Sequence, residues 1–329
     1  MKYFTTVNDV KDLDELMLQA RLIKQDPYAF SEIGKNKTLG LIFMNPSLRT
    51  RMSTQKAAMN LGMNVIVMNI DKEGWALEME DGAVMSGSSV EHIKDAAAVM
   101  GEYCDIIGVR CFPSLKNKKE DYSEKVLLKF MRYSKAPLIS LEGATLHPLQ
   151  SFADLITIKE NWTQTRRPKV VLSWAPHIKP LPQAVANSFT EWMNRSDVDL
   201  VITHPEGYEL CQDYTGSAPI IYDQEEALKD ADFVYVKNWS AYNDYGQMPL
   251  VKENWLLNKE KMLLTNNAKL MHCLPVRRNV EVPDFLLDGK NSLILQQAGN
   301  RLYAAQAVLK TILETTLWKN SMSLKLAEM

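Results

Sequence analysis

The chain has 329 residues, 46% apolar and 24% charged, with 38 basic against 40 acidic side chains and a formal charge of −2. That length favours two domains over one core, and the near-neutral balance leaves no global excess to attract nucleic acid or an anionic membrane, so any anion site has to be a local cluster. The first residues lack an apolar signal-like stretch, no apolar run reaches membrane-spanning length, and Cys104, Cys111, Cys211 and Cys273 form no Cys-x-x-Cys pair. A cytoplasmic chain with reduced thiols, no metal and no cofactor is predicted.

Runs rich in Val, Ile, Leu and Met predict strands at Thr38–Asn45, Asn64–Asn69, Asp105–Cys111 and Pro137–Glu142 in the first half. In the second half the runs are Lys169–Trp174, Asp197–His204, Asp232–Asn238, Lys269–Pro275 and Ser292–Gln296. They are continuously apolar rather than alternating, as strands covered on both faces should be. Helices are predicted between them at Arg49–Leu61 (with Gly62 as the terminating residue), Glu91–Tyr103, Glu124–Tyr133, Ser151–Trp162 and Gln224–Lys229. A last amphipathic helix is predicted from Ala304 to Trp318, packing back on the first domain. Alternating strand and helix implies an α/β protein of two doubly wound parallel-sheet domains. The division expected is 1–148, 149–303 and a helical tail over 304–329.

Gly-x-Gly-x-x-Gly, a P-loop, Gly-x-Ser-x-Gly and His-Glu-x-x-His are all missing from the sequence, which removes the usual support for dinucleotide binding, P-loop chemistry, serine hydrolysis and zinc hydrolysis. Three other strings stand at predicted strand ends. Asn45-Pro46-Ser47-Leu48-Arg49-Thr50-Arg51 brings two hydroxyls and two guanidiniums to a helix start, the ingredients of an oxyanion cradle. The plainer alternative is a capped helix with solvated arginines. His147-Pro148-Leu149-Gln150 offers an imidazole and an amide suited to a small carbonyl or amide group. His272-Cys273-Leu274-Pro275, followed by Arg277 and Arg278, ends another strand, Arg110 ends a fourth, and Asn300-Arg301 follows the last predicted strand. Each string alone is modest, but all lie where open α/β sheets bind ligands, and together they favour a small phosphorylated carbonyl compound.

In this order and spacing, Ser47-Leu48-Arg49-Thr50-Arg51, His147-Pro148-Leu149-Gln150 and His272-Cys273-Leu274-Pro275 resemble the signatures of the aspartate/ornithine carbamoyltransferase family. The resemblance spans nearly the whole chain. It implies a first domain for carbamoyl phosphate, a second for the amine, and active sites shared between subunits of a homotrimer. The Asp-Gly-x-Asn-Asn and Ser-Met-Gly strings of ordinary ornithine enzymes are replaced by Trp174-Ala175-Pro176-His177 and Lys237-Asn238-Trp239-Ser240. With the proline-rich loop Trp174–Pro182, these segments resemble the N-acylornithine branch, whose second domain is knotted.

The resemblance implies transfer of the carbamoyl group to the δ-amine of N-succinyl-L-ornithine, in arginine biosynthesis, with N-acetyl-L-ornithine as the alternative acceptor. A non-catalytic carbamoyl-phosphate-binding regulator is the reading from another class. Ser47, Leu48, Arg49, Thr50 and Arg51 would hold the phosphate. Thr50, Arg110 and His147 would face the carbonyl oxygen, while Gln150, the Leu274 carbonyl and Arg301 would orient the carbamoyl end beside Cys273. Trp75 would reach into a neighbouring subunit's site. Glu142, His177, Lys237, Arg278, Cys273 and Leu274 would meet the acylornithine. Val90, before Glu91-His92, stands where acetyl users carry a repelling glutamate and succinyl users typically a proline. It would favour succinyl, unless it is simply a helix-start residue.

Overall fold

The computed structural model describes residues 1–327, with side chains except at position 71 and from 317 onward. It divides into two compact units, one of Met1–Phe112 with Glu124–Gly143 and the chain from Arg301, the other of Pro113–Ser123 with Ala144–Asn300.

The first unit holds β1 (Tyr3–Phe4), β2 (Thr38–Phe43), β3 (Asn64–Asn69), β4 (Leu77–Glu78), β5 (Glu91–His92), β6 (Ile106–Arg110) and β7 (Leu138–Glu142). Five of them form a parallel sheet in the order β1-β7-β6-β2-β3, and β4 pairs with β5 in a separate parallel ribbon. β6 and β7 are buried throughout and β2 at every residue but Thr38, which is why their sequences read as unbroken apolar runs. The chain leaves β2 for β3 on one side and returns to β6 on the other, so the sheet changes winding direction at β2. Open α/β sheets place ligands at the carboxyl ends of the strands at such a point.

After β2 comes the helix Arg49–Asn60. It closes as the sequence predicts, with Gly62 at φ +80°. The Gly62 N–H donates to Met59 O and the Met63 N–H to Ala58 O, satisfying carbonyls that the helix end would orphan. A Cβ at Gly62 would stand 2.0 Å from Ser31 O, so glycine is required twice over.

The second unit holds β8 (Lys169–Trp174), β9 (Asp199–Thr203), β10 (Phe233–Lys237) and β11 (Lys269–Met271), parallel in the order β11-β10-β8-β9. Here the winding reverses at β8, whose neighbours are β9 and β10. At the opening ends of the strands, buried Asp232 accepts a two-pronged ion pair from Arg166 (2.7 Å twice), the Lys169 N–H (2.8 Å) and Asn266 (2.8 Å).

Both units are thus doubly wound parallel α/β structures. Some predicted elements need correction. Ser292–Gln296 is not a strand: it makes a single bridge from Ser292 to Leu270, and a helix Ile294–Ala327 begins within it. That helix therefore starts well before Ala304. Its buried stretch packs in the first unit, where Gln306 accepts from Asn60 (3.1 Å) and donates to Pro27 O (2.6 Å). Glu91–His92 is strand, with the helix beginning at Ile93, and the helix predicted from Ser151 starts at Pro148. Helices Leu13–Gln25 and Ala184–Asn194 were not among the predicted elements. Among the described residues, no helix is long and apolar enough to cross a membrane.

Candidate functional site

In the first unit the winding reversal gathers a cationic cluster. The helix Arg49–Asn60 starts at Leu48, whose side chain makes no capping hydrogen bond, and Ser47 and exposed Leu48 form the approach to its first turn, the positive end of the helix dipole. Arg49 and Arg51 are half-buried on that first turn. Thr50 is buried, and its Oγ1 accepts from Arg301 Nη2 at 2.7 Å and, more weakly, from Arg110 Nη1 at 3.5 Å. A hydroxyl that already accepts from two guanidiniums has its own proton left to donate. Arg110, at the end of β6, is ion-paired to buried Glu142 at the end of β7 and stacks its guanidinium 4.4 Å from the Phe112 ring. Arg110 Nε is buried without a hydrogen-bond partner among the described residues. Glu142, assigned from sequence to the acceptor, therefore stands in the same cluster as Thr50, Arg110 and Arg301.

The β4–β5 ribbon sets Trp75 and Val90 side by side. The Val90 N–H donates to Ala76 O at 3.1 Å, and Trp75 Nε1 donates to Glu91 Oε2 at 2.7 Å. Both side chains are more than half exposed, 53% for Trp75 and 65% for Val90. Val90 precedes a strand residue rather than opening a helix, which removes the helix-start reading.

The second unit carries the other two strings. His147 is the N-cap residue of the helix Pro148–Glu160, with Pro148 in the first turn, where its missing N–H costs nothing. Gln150, one turn in, is buried, and its Nε2 donates to Asp154 Oδ1 at 2.7 Å, a side-chain pair at i and i+4. His272 and Cys273 follow β11 and are buried, and the Leu274 N–H donates to His272 Nδ1 at 2.9 Å. Leu274 adopts φ +56°, a left-handed conformation that costs a leucine roughly 1–3 kcal/mol and persists only where its surroundings hold it. His272 is backed by buried Glu281. Burial alone would raise the Glu281 pKa, but the His272 hydrogen bond, the Lys237 charge and the Arg277 N–H together keep it below the usual carboxyl range.

Lys237 ends β10 beside the winding reversal. It is buried, with Nζ donating to Asn238 O at 2.9 Å, while Asn238 Nδ2 bridges to Ala175 O at 2.6 Å. In the proline-rich loop, His177 Nε2 accepts from Arg277 Nε at 3.2 Å, and its Nδ1 lies 2.8 Å from Lys179 O and 3.2 Å from Lys179 N. Arg278 is exposed and already matched by Asp284 (2.7 Å) and Asp288 (2.8 Å twice). Arg277, noted from sequence beside Arg278 but given no site role there, is the arginine that touches His177. Asp154, Gln297 and Glu281 were missed. Asp154 was legible as the i+4 partner of Gln150, whereas Gln297 was hidden just beyond the misassigned strand. No group of three or more His, Cys, Asp or Glu among the described residues is placed to hold a metal ion.

One unit thus holds a buried guanidinium cluster at a helix start, and the other an amide, an imidazole and a strand-end thiol. Residues 2–160 match the carbamoyl-phosphate-binding domain of aspartate/ornithine carbamoyltransferases, and residues 182–312 match their Asp/Orn-binding domain. The chain is 52% identical over 316 residues to the N-succinylornithine carbamoyltransferase of Bacteroides fragilis (strain 638R), covering 95% of this chain and 99% of that one. To the N-acetylornithine carbamoyltransferase of Xylella fastidiosa (strain Temecula1) it is 36% identical over 334 residues, covering 95% and 98%. A crystal structure of a glutamate-to-valine mutant of N-acetyl-L-ornithine transcarbamylase, complexed with carbamyl phosphate and N-succinyl-L-norvaline, matches with a TM-score of 0.89 at 35% identity, covering 95% of this chain and all of that one. The chain belongs to the aspartate/ornithine carbamoyltransferase family.

Proposed function

We propose that this carbamoyltransferase moves the carbamoyl group of carbamoyl phosphate to the δ-amine of N-succinyl-L-ornithine, giving N-succinyl-L-citrulline and phosphate. The observation that carries the choice of acceptor is the 52% identity to a succinylornithine enzyme over 95% of the chain, against 36% to an acetylornithine enzyme. Val90 supports it, because a neutral side chain there does not repel the succinyl carboxylate. A glutamate-to-valine change in the acetylornithine relative likewise accompanies a bound N-succinyl ligand.

In this reading the N–H groups from Ser47 to Arg51, with the Arg49 and Arg51 side chains, take the phosphate. Thr50, Arg110 and His147 donate toward the carbonyl oxygen, where negative charge develops as the neutral amine attacks the carbonyl carbon. Preorganised donors of this kind contribute about 3–4 kcal/mol each to the transition state. The tetrahedral species collapses by breaking the C–O bond to phosphate, and the departing phosphate takes the proton from the new amide nitrogen. Gln150, the Leu274 carbonyl and Arg301 orient the carbamoyl end, with Cys273 next to the reacting carbon. Lys237 and His177 meet the acylornithine, and Arg278 reaches it only by exchanging one of its carboxylate partners. The active form is a homotrimer in which Trp75 serves a neighbouring subunit's site, so dissociated monomers are inactive.

The deciding experiment is product formation from carbamoyl phosphate with N-succinyl-, N-acetyl- and free ornithine in parallel. Turnover of the succinyl substrate alone is expected. Preference for acetyl would keep the reaction and reverse the acceptor, and carbamoyl-phosphate binding without turnover of any acceptor would make the protein a binding regulator.

A further inference from the structure

Behind Gln150 in the second unit lies a buried polar chain that the proposed reaction does not by itself require. Asp154, fully buried, accepts two hydrogen bonds on Oδ1 at 2.7 Å, from Gln150 Nε2 and from Gln297 Nε2. Gln297 Oε1 in turn accepts the His272 N–H at 2.9 Å, at the start of the segment that carries Cys273 and Leu274. The Tyr235 phenol is buried beside both Asp154 and Cys273. A carboxylate only accepts, so both glutamines must turn their NH2 groups toward it. The consequence for Gln150 is that its other end, Oε1, is an acceptor, and that oxygen is buried with no hydrogen-bond partner among the described residues. An amide oxygen left unpaired in the interior is costly unless a ligand donates to it.

We infer that Asp154 is a positioning residue: it fixes the Gln150 amide with its oxygen toward the ligand, and so selects an acyl phosphate bearing an N–H donor over its methyl counterpart. The ligand it favours is a carbamoyl phosphate, and the one it rejects is an acetyl phosphate. The inference rests on the proposed function, because it presumes that Gln150 meets the carbamoyl nitrogen. Were the amide free to rotate, its NH2 would meet the ligand's own NH2, and the discrimination would fade. A site built to accept from an N–H group rejects an analogue without one far more strongly than a merely shaped apolar pocket does.

The test compares the dissociation constant of carbamoyl phosphate with the inhibition constant of acetyl phosphate, in the full-length enzyme and three variants. In the parent enzyme carbamoyl phosphate binds more tightly. In Asp154→Ala that preference shrinks by about tenfold or more while acetyl phosphate binding stays near the parent value. Asp154→Asn, which keeps an acceptor oxygen in place, recovers most of the preference. Gln150→Met shows the full loss, and adding Asp154→Ala to it changes the preference no further. Should the alanine variant not fold, Asp154→Leu fills the same space and carries the same expectation. Equal weakening of both ligands, or an unchanged preference, overturns the positioning role. A parent enzyme that binds acetyl phosphate as tightly as carbamoyl phosphate overturns the inferred selection, whereas one that does not bind carbamoyl phosphate at all withdraws the proposed function, and either failure is visible before any variant is made.

Discussion

The clusters of the two units use different physics: the first stands at the strand ends where its sheet reverses its winding, the second at the end of the edge strand β11 and on two helices. In the first unit the groups are ions: Arg110 is paired to Glu142, and Arg301 and Arg110 meet on the Thr50 hydroxyl. In the second, Gln150, Asp154, Gln297 and His272 are joined by hydrogen bonds whose donor and acceptor ends are each determined. A guanidinium attracts an anion from many directions, whereas an amide held at its nitrogen offers one acceptor in one direction. The difference teaches that charge is placed where an oxyanion must be neutralised, and directed hydrogen bonds where similar neutral groups must be told apart.

The comparison breaks most severely at Arg110. Arg110→Met should lower turnover by about a hundred- to a thousandfold and destabilise the fold by about 3–5 kcal/mol, because buried Glu142 loses its guanidinium partner. The double variant Arg110→Met/Glu142→Met should recover stability in urea unfolding but not activity, separating the two roles of the ion pair. Next comes Thr50→Val, expected to cost about 10–100-fold in kcat with little change in stability, since removing one hydroxyl donor forfeits part of a preorganised site. Thr50→Ser should restore most of the rate.

On the second unit's side, Lys237→Met should raise KM for the acylornithine by about tenfold or more while leaving KM for carbamoyl phosphate unchanged, as loss of one charge-assisted hydrogen bond implies. Equal changes in both constants would show that Lys237 supports the strand end rather than the acceptor. Val90→Glu should shift the acceptor preference toward N-acetylornithine by several-fold up to about tenfold, measured as the ratio of kcat/KM values.

The smallest effect on catalysis is expected at Asp232, which serves the sheet alone. Burial raises its pKa, but the Arg166 pair, Asn266 and the Lys169 N–H outweigh that and hold it below the usual carboxyl range. A depressed folded-state pKa gives stability that is present above the unfolded value of 3.8 and lost as pH falls through the folded value. Asp232→Asn should therefore lower the melting temperature at neutral pH, have its deficit shrink in acid, and leave kcat unaltered.

Much of this was legible in the sequence because the same constraint wrote both pattern and fold. β2, β6, β7 and β8 are covered on both faces, so they read as apolar runs, and the strings that follow them mark strand ends. Where a single constraint did not dominate, the reading failed. Ser292–Gln296 is short and apolar enough for a strand, yet a helix claims it from Ile294, and periodicity cannot separate the two over five residues. That error hid Gln297. Arg278 looked like the natural carboxylate ligand, but Asp284 and Asp288, six and ten residues on, engage it. Spacing reveals which side chains follow a strand, and not which of them already have partners.

The make-up of the first unit also bears on how the chain folds as it is made. Its sheet needs Tyr3–Phe4 against Leu138–Glu142, and its core needs the helix from Arg301, including Gln306 between Asn60 and Pro27. The second unit, by contrast, draws on nothing beyond Asn300. On a ribosome that releases residues in order, the second unit's residues are all available while the first still awaits its closing helix. The part that begins first is completed last, and its apolar surface near Asn60 and Pro27 stays open for longest during synthesis.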